Sequence, residues 1–219
     1  MPMISWKERH RRMYAALDDA WKEGDKEASD PGLREVYSQI PRAPIRLIVL
    51  PLGKAVNQGG MTRVADAYRI ERVDFSQEPD RAIDFAANRG TKGWQPWRWV
   101  PTEVALVEAR AEGYSVAALT LSDRAVDVAK APWTFPLAIL IGEENAGVPA
   151  ELEVRCDFSV AIPLYGLVQS LNVVTAAAIA LDHAIRAYSV ANSEFQPVRA
   201  GSRKLVGLDT VDYLLDSSD

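Results

Sequence analysis

The chain is predicted to fold as α/β, a mostly parallel sheet with helices on both faces. Three observations predict it. Short runs that are apolar at nearly every position recur at strand length, as in I-R-L-I-V-L from Ile45 and P-L-A-I-L-I from Pro136. A strand without polar alternation is one buried on both sides. Segments of helical length separate these runs, and alternation of that kind gives parallel strands covered by helices. Finally, three of the strand-like runs lead into loops rich in glycine and polar residues. Those loops fall where an open parallel sheet binds its ligands, beyond the carboxyl ends of the strands.

Composition sets the outer limits. With 219 residues, 48% of them hydrophobic, the chain can bury a full core as one domain with appendages. The basic start M-P-M-I-S-W-K-E-R-H-R-R is followed by no apolar segment, so no secretory signal is expected. A single cysteine, Cys156, excludes an intrachain disulfide and a cysteine-rich metal site. Two histidines, His10 and His183, sit in no pairing motif, so no metal is expected. A net charge of −5 argues against nucleic-acid binding over the whole surface and leaves room for a local basic patch. A reducing, cytoplasmic setting follows, with no membrane.

Taken in order, residues 1–42 read as a helical N-terminal extension. Trp6, Met13, Leu17 and Trp21 fall near one helical face. Its cluster Lys7, Arg9, His10, Arg11 and Arg12 suits phosphates and equally suits a solvated face. The core, residues 43–192, opens with a buried strand at 45–51. A glycine-rich turn then leads into a helix from about Met61. A strand at 72–75 and helix-like residues 82–87 follow, and then a loop over 94–100 entering a strand. Thr102 is placed to cap a helix at 103–111 that Gly113 closes. Strands are expected at 114–121, 135–142 and 159–163. A turn at 164–169 then precedes a helix for which Ser170 and Asn172 are cap candidates. From Leu171 to Leu181 that helix has almost no polar face, so it should be covered on most sides. It reads as too short and alanine-rich to span a membrane. Residues 193–219 form a polar C-terminal tail with a short docking helix.

The candidate chemistry lies in three loops, 57–63, 142–147 and 166–172. Each alone reads equally well as a plain turn. No G-x-G-x-x-G follows the first strand, and neither a G-x-x-x-x-G-K-[ST] nor a G-x-S-x-G is present. Ser170 and His183 are thirteen positions apart on one helix, too far along its axis to hydrogen-bond.

Taken together, N-Q-G-G-M-T-R (57–63), L-I-G-E-E-N-A-G-V (140–148) and I-P-L-Y-G-L-V-Q-S-L-N-V (162–173) resemble the three signature motifs of the SpoU-type RNA 2′-O-ribose methyltransferases. These belong to the SPOUT, or trefoil-knot, superfamily. The resemblance spans roughly residues 44–190 and implies a C-terminal trefoil knot, a rare exception to unthreaded topology. It also implies S-adenosyl-L-methionine as methyl donor, a structured RNA (tRNA or rRNA) as partner, and a homodimer. By the same resemblance Asn57, Arg63, Glu144, Ser170 and Asn172 are the catalytic candidates. Thr120, Leu140, Gly142, Ile162, Leu164, Gly166 and Leu171 are the cofactor-binding ones. A free guanidinium stays protonated, so Arg63 is better suited to bind phosphate and polarise the 2′-hydroxyl than to act as base. Glu144 is then placed to hold Arg63 or to orient the loop.

Two other classes stand beside the methyltransferase. One is an RNA-binding protein of the same fold without catalysis. The other is a small-molecule-binding α/β protein with no affinity for S-adenosylmethionine. Trp94, Trp97 and Trp99, interleaved with Arg89, Lys92 and Arg98, have two readings as well: stacking on unpaired bases, or core and dimer contacts.

Overall fold

A computed structural model describes residues 41–76, 91, 95–193 and 195. The expectations for the two arms, for helix-like residues 82–87 and for Arg89, Lys92 and Trp94 lie outside them.

The described chain begins with strand β1 (Ala43–Val49), helix α1 (Ala55–Ala67) and strand β2 (Ile70–Phe75). Next come β3 (Trp97–Trp99), α2 (Thr102–Ala111), β4 (Ser115–Leu119) and the two-residue β5 (Val126–Asp127). The C-terminal part holds β6 (Leu137–Ile141), the short α3 (Ala150–Glu153), β7 (Phe158–Ala161) and α4 (Val173–Ala191). The seven strands make one sheet in the order β3-β2-β1-β6-β4-β7-β5, and every pairing is parallel.

The apolar runs explain the three layers. Alternate residues of a strand point to opposite faces. Ile45, Leu47, Val49, Ile139 and Ile141 accordingly join a core with Met61 and Ala65 of α1 and Ala177, Leu181 and Ala184 of α4. Ile48, Ala138, Leu140, Val116 and Ala118 join a second core with Ala105, Leu106 and Ala109 of α2 and Leu152 of α3. The expected parallel sheet with helices on both faces is therefore present.

Local boundaries differ from expectation at three helices. Helix α1 starts at Ala55, not near Met61, so Asn57, Gly59 and Gly60 lie inside it. Interior glycines cost a helix about 1 kcal/mol each relative to alanine. Gly60 is accommodated by close packing, since a Cβ there would stand 3.1 Å from both γ-carbons of Val174 on α4. Thr102 sits within α2 and caps nothing; Pro101 is the N-cap, and the Thr102 hydroxyl donates to Ser76 Oγ at 2.6 Å. Helix α4 begins at Val173, so Leu171 precedes it. Its buried residues form a single stripe of Val173, Ala177, Ala180, Leu181 and Ala184, while among the described residues most of the others are half-buried and Thr175, Arg186, Val190 and Ala191 are exposed. At 19 residues and mean hydropathy 1.2 the helix is long and apolar enough, by length and composition, to cross a membrane. The expectation that it is too short is therefore corrected, and its buried stripe packs against the sheet.

Trp97 packs against the core, and its ring meets Trp99 at 5.9 Å and Phe75 at 6.4 Å. Phe75 and Trp99 lie 5.4 Å apart. Arg98 is engaged by buried Asp74, Nε to Oδ1 at 2.6 Å, and by Glu108. The structure thus places Trp97 and Arg98 in intramolecular contacts, the plainer of the two sequence readings.

Candidate functional site

The loops after β1, β6, β4 and β7 open at the same end of four neighbouring strands. Glu144, in the loop after β6, reaches across to the loop after β1. Its Oε2 accepts from the Gly53 amide at 2.7 Å, and its Oε1 from the Lys54 amide at 3.3 Å. The same Oε1 accepts from Asn57 Nδ2 at 2.7 Å. Asn57 Oδ1 in turn accepts from Asn172 Nδ2 at 3.2 Å, and Asn172 Oδ1 caps α4 by accepting from Val174 N at 2.9 Å and Thr175 N at 3.4 Å. Three sequence-predicted residues, from the first turn of α1, the loop after β6 and the cap of α4, therefore form one chain of hydrogen bonds.

Burial pulls the Glu144 carboxyl upward, but the donors from Gly53, Asn57 and Lys54 outweigh it and hold the group below its ordinary value. A depressed carboxylate stabilises the fold above its unfolded value and loses that contribution as pH falls through the folded one. Acid unfolding of the wild-type chain should therefore contain a step below the ordinary carboxylate range. Replacing Glu144 with glutamine should flatten it, as followed by circular dichroism against pH.

Asn172 is the cap, while Ser170 lies in the preceding loop without a capping bond. An alanine at position 172 removes the cap and the link to Asn57. Loss of an N-cap costs about 1 kcal/mol, so Asn172→Ala should lower the melting temperature by about 2–4 °C. A thermal scan reads this directly.

Beside the hydrogen-bonded chain is a cavity of about 500 Å³. Apolar walls come from Leu119, Leu121, Ile141, Leu164, Leu171 and Val173. Of the predicted residues, Thr120, Gly142, Glu144, Ile162, Leu164, Ser170 and Leu171 line it. Gly142 is required by its surroundings, because a Cβ there would fall 2.5 Å from the amide nitrogen of Val148. The Glu143–Gly147 bridge folds this loop back on itself, with Gly147 at φ 68°. Volume and lining suit a nucleoside-sized ligand with an apolar body and a few polar groups.

Three predicted residues fall elsewhere. Leu140 is fully buried in the sheet core facing α2, and its neighbour Ile141 lines the cavity. Gly166 is exposed, and a Cβ there would meet nothing within 4 Å. Arg63 is exposed on α1 and makes no hydrogen bond or ion pair among the described residues, so Glu144 holds Asn57 and not Arg63. Sequence reasoning missed Ser122 and Glu153 on the cavity wall. Ser122 follows β4 two positions after the predicted Thr120, and that position was the available signal.

A parallel α/β domain with its cavity over the ends of β4, β6 and β7 defines a ligand-binding class, and comparison with known proteins narrows it. The model of the SpoU rRNA Methylase family matches residues 44–182, so the chain belongs to that family. It is 33% identical over 137 residues to a tRNA (guanosine(18)-2′-O)-methyltransferase of Escherichia coli K12, covering 61% of this chain and 59% of that protein. With the Thermus thermophilus protein of the same name it is 36% identical over 167 residues, covering 74% of this chain and 85% of that one. An AdoMet-bound rRNA methyltransferase from Sinorhizobium meliloti shares the fold at TM-score 0.59 and 28% identity, over 71% of this chain and 60% of that one. The chain thus spans 59% of the length of the Escherichia coli relative.

Proposed function

We propose that the protein transfers a methyl group from S-adenosyl-L-methionine to a ribose 2′-hydroxyl of tRNA or rRNA. The cavity carries the reading, because it adjoins the Asn57–Glu144–Asn172 chain. Its size and apolar walls fit the donor, and Thr120, Gly142, Ile162, Leu164 and Leu171 would hold it. When bound, S-adenosylmethionine supplies an electrophilic methyl carbon on a positive sulfur, which becomes neutral on transfer. Low-polarity walls favour that loss of charge and exclude water. Glu144 and Asn172 fix Asn57, and Asn57 in turn ties α1 to the mouth of the cavity. Arg63, outside that chain and always cationic, would grip the phosphate beside the target ribose and orient its hydroxyl. With the donor bound, the methyl carbon would pass to the ribose oxygen, the sulfur would retain the bonding pair, and the hydroxyl proton would pass to water at the mouth of the cavity. The trefoil knot and a cytoplasmic location belong to the same proposal.

Calorimetric titration with S-adenosylmethionine and S-adenosylhomocysteine tests the pocket, followed by transfer of labelled methyl to RNA. Two relatives are named for guanosine 18 of tRNA, which makes tRNA the first substrate to assay. Saturable binding with transfer is expected. Binding of RNA without transfer would favour a non-catalytic RNA binder of the same fold.

A homodimer is part of the proposal. Tyr165 and Leu167 are fully exposed in the loop before α4, beside exposed Val168, and Val190 is exposed on α4 itself. A contiguous apolar loop next to a half-covered apolar helix marks an interaction surface. Leu167→Asp should shift the species seen by light scattering from dimer to monomer. A wild-type chain that is monomeric at all concentrations would contradict the dimer.

A further inference from the structure

Glu153, the last residue of α3, has a carboxylate that the chemistry above does not use. It is only 7% exposed, yet it lines the cavity. Its Oε1 accepts from Ser122 Oγ at 2.5 Å and from Ser159 Oγ at 2.7 Å. Among the described residues no hydrogen-bond donor reaches its Oε2, and the Arg124 charge acts on it without forming an ion pair. Hydrogen bonds from Ser122 first and Ser159 second hold the group below its ordinary value, so it is ionised at neutral pH. Glu153 lines the cavity, so its unpaired oxygen is an acceptor that a bound ligand's donors can meet.

The occupant must supply donors and no competing negative charge. An amino-acid tail carries its own carboxylate beside its ammonium, so it meets repulsion here. The edge of an adenine needs acceptors as well as donors. A vicinal diol offers two hydroxyl donors and matches a wall that is carboxylate and serine oxygen. Acidic side chains read ribose hydroxyls in this way in dinucleotide folds.

We propose that Glu153, braced by Ser122 and Ser159, accepts hydrogen bonds from the ribose hydroxyls of the bound cofactor and selects an adenosyl group over its deoxy analogues. This rests on the cofactor reading above. It assigns the Ser122–Glu153 end of the cavity to the cofactor's sugar and leaves the Ser170–Leu171 end for the reacting group.

The test is calorimetric titration of the full chain with S-adenosylhomocysteine, its 2′,3′-dideoxy analogue and its desamino analogue. Wild type, Glu153→Gln and Ser122→Ala are compared, with melting temperature as the check on folding. Glu153→Gln keeps the shape and removes the charge, so it remains a fair test where Glu153→Ala fails to fold. We expect Glu153→Gln to bind S-adenosylhomocysteine about tenfold or more weakly, the range for a hydrogen bond to a charged group. The dideoxy analogue should bind both proteins alike, and Ser122→Ala should show a smaller loss in the same pattern. Equal losses on both ligands, or no loss on either, overturn the assignment. A loss that disappears with the desamino analogue and persists with the dideoxy one shows that Glu153 reads the ammonium, and the diol assignment fails. If the wild-type chain binds none of the three, the cofactor reading itself falls, and this inference falls with it.

Discussion

Gly142→Val is expected to abolish cofactor binding while Gly166→Val leaves it within about twofold, the scatter usual for an exposed surface substitution. The contrast follows from where a side chain would go. At position 142 the first carbon alone falls 2.5 Å from the Val148 amide nitrogen and overlaps the carbonyl of Gly147. These are backbone atoms, so the bridge between Glu143 and Gly147 must open before any side chain fits. Forcing volume into a packed site costs about 1–3 kcal/mol or more, and the loop that must move forms one wall of the cavity. A loss of at least about 100-fold in affinity for S-adenosylhomocysteine is the expected reading. At position 166 a Cβ meets open space, although the motif resemblance places that glycine among the cofactor residues. Equal losses at the two positions would mean that Gly166 moves onto the ligand when it binds.

Arg63→Ala should separate binding from transfer. Arg63 follows Asn57 by six positions on α1, which puts it roughly 120° round the axis and about 9 Å along it. That geometry keeps it out of the Asn57–Glu144–Asn172 chain and leaves a long cationic side chain in solvent. Removing it should leave affinity for S-adenosylhomocysteine and the melting temperature unchanged. Methyl transfer to RNA should fall by about 10²-fold, the scale of losing a group that holds the reacting atoms in line. Arg63→Lys should recover only part of the rate, because an ammonium lacks the planar fork that grips a phosphate through two bonds. A transfer rate untouched by Arg63→Ala would remove Arg63 from the mechanism.

Apolar runs made the strands legible, because burial on both faces leaves a strand no polar positions. β1 was expected at 45–51 and lies at 43–49, and β6 was expected at 135–142 and lies at 137–141. The start of α1 was hidden, because glycine pairs read as turns locally. Only the approach of Val174 to Gly60, more than a hundred residues away, makes a helical glycine favourable. Ser170 and Asn172 are equally good caps by chemistry, and only geometry separates them. The group formed by Ser122, Glu153 and Ser159 leaves no mark in the sequence, since its members come from three elements and resemble an ordinary surface serine, a helix-end acid and a strand residue. The motif order brought Asn57, Glu144 and Asn172 together on paper, and their mutual hydrogen bonds required the sheet order that puts β1 beside β6.

That sheet order also sets when the site can exist. Asn57 waits for a partner 115 positions further along, and Gly53 for one 91 positions on. Chain emerging during synthesis could pair β1 with β2 early, since α1 alone separates them. The mouth of the cavity stays unmade until Asn172 has appeared and α4 has settled against α1. Contacts so distant in sequence are slow to form, because the intervening chain must be ordered first. Binding competence should therefore lag behind secondary structure on refolding, with the helical signal recovering first and ligand affinity last.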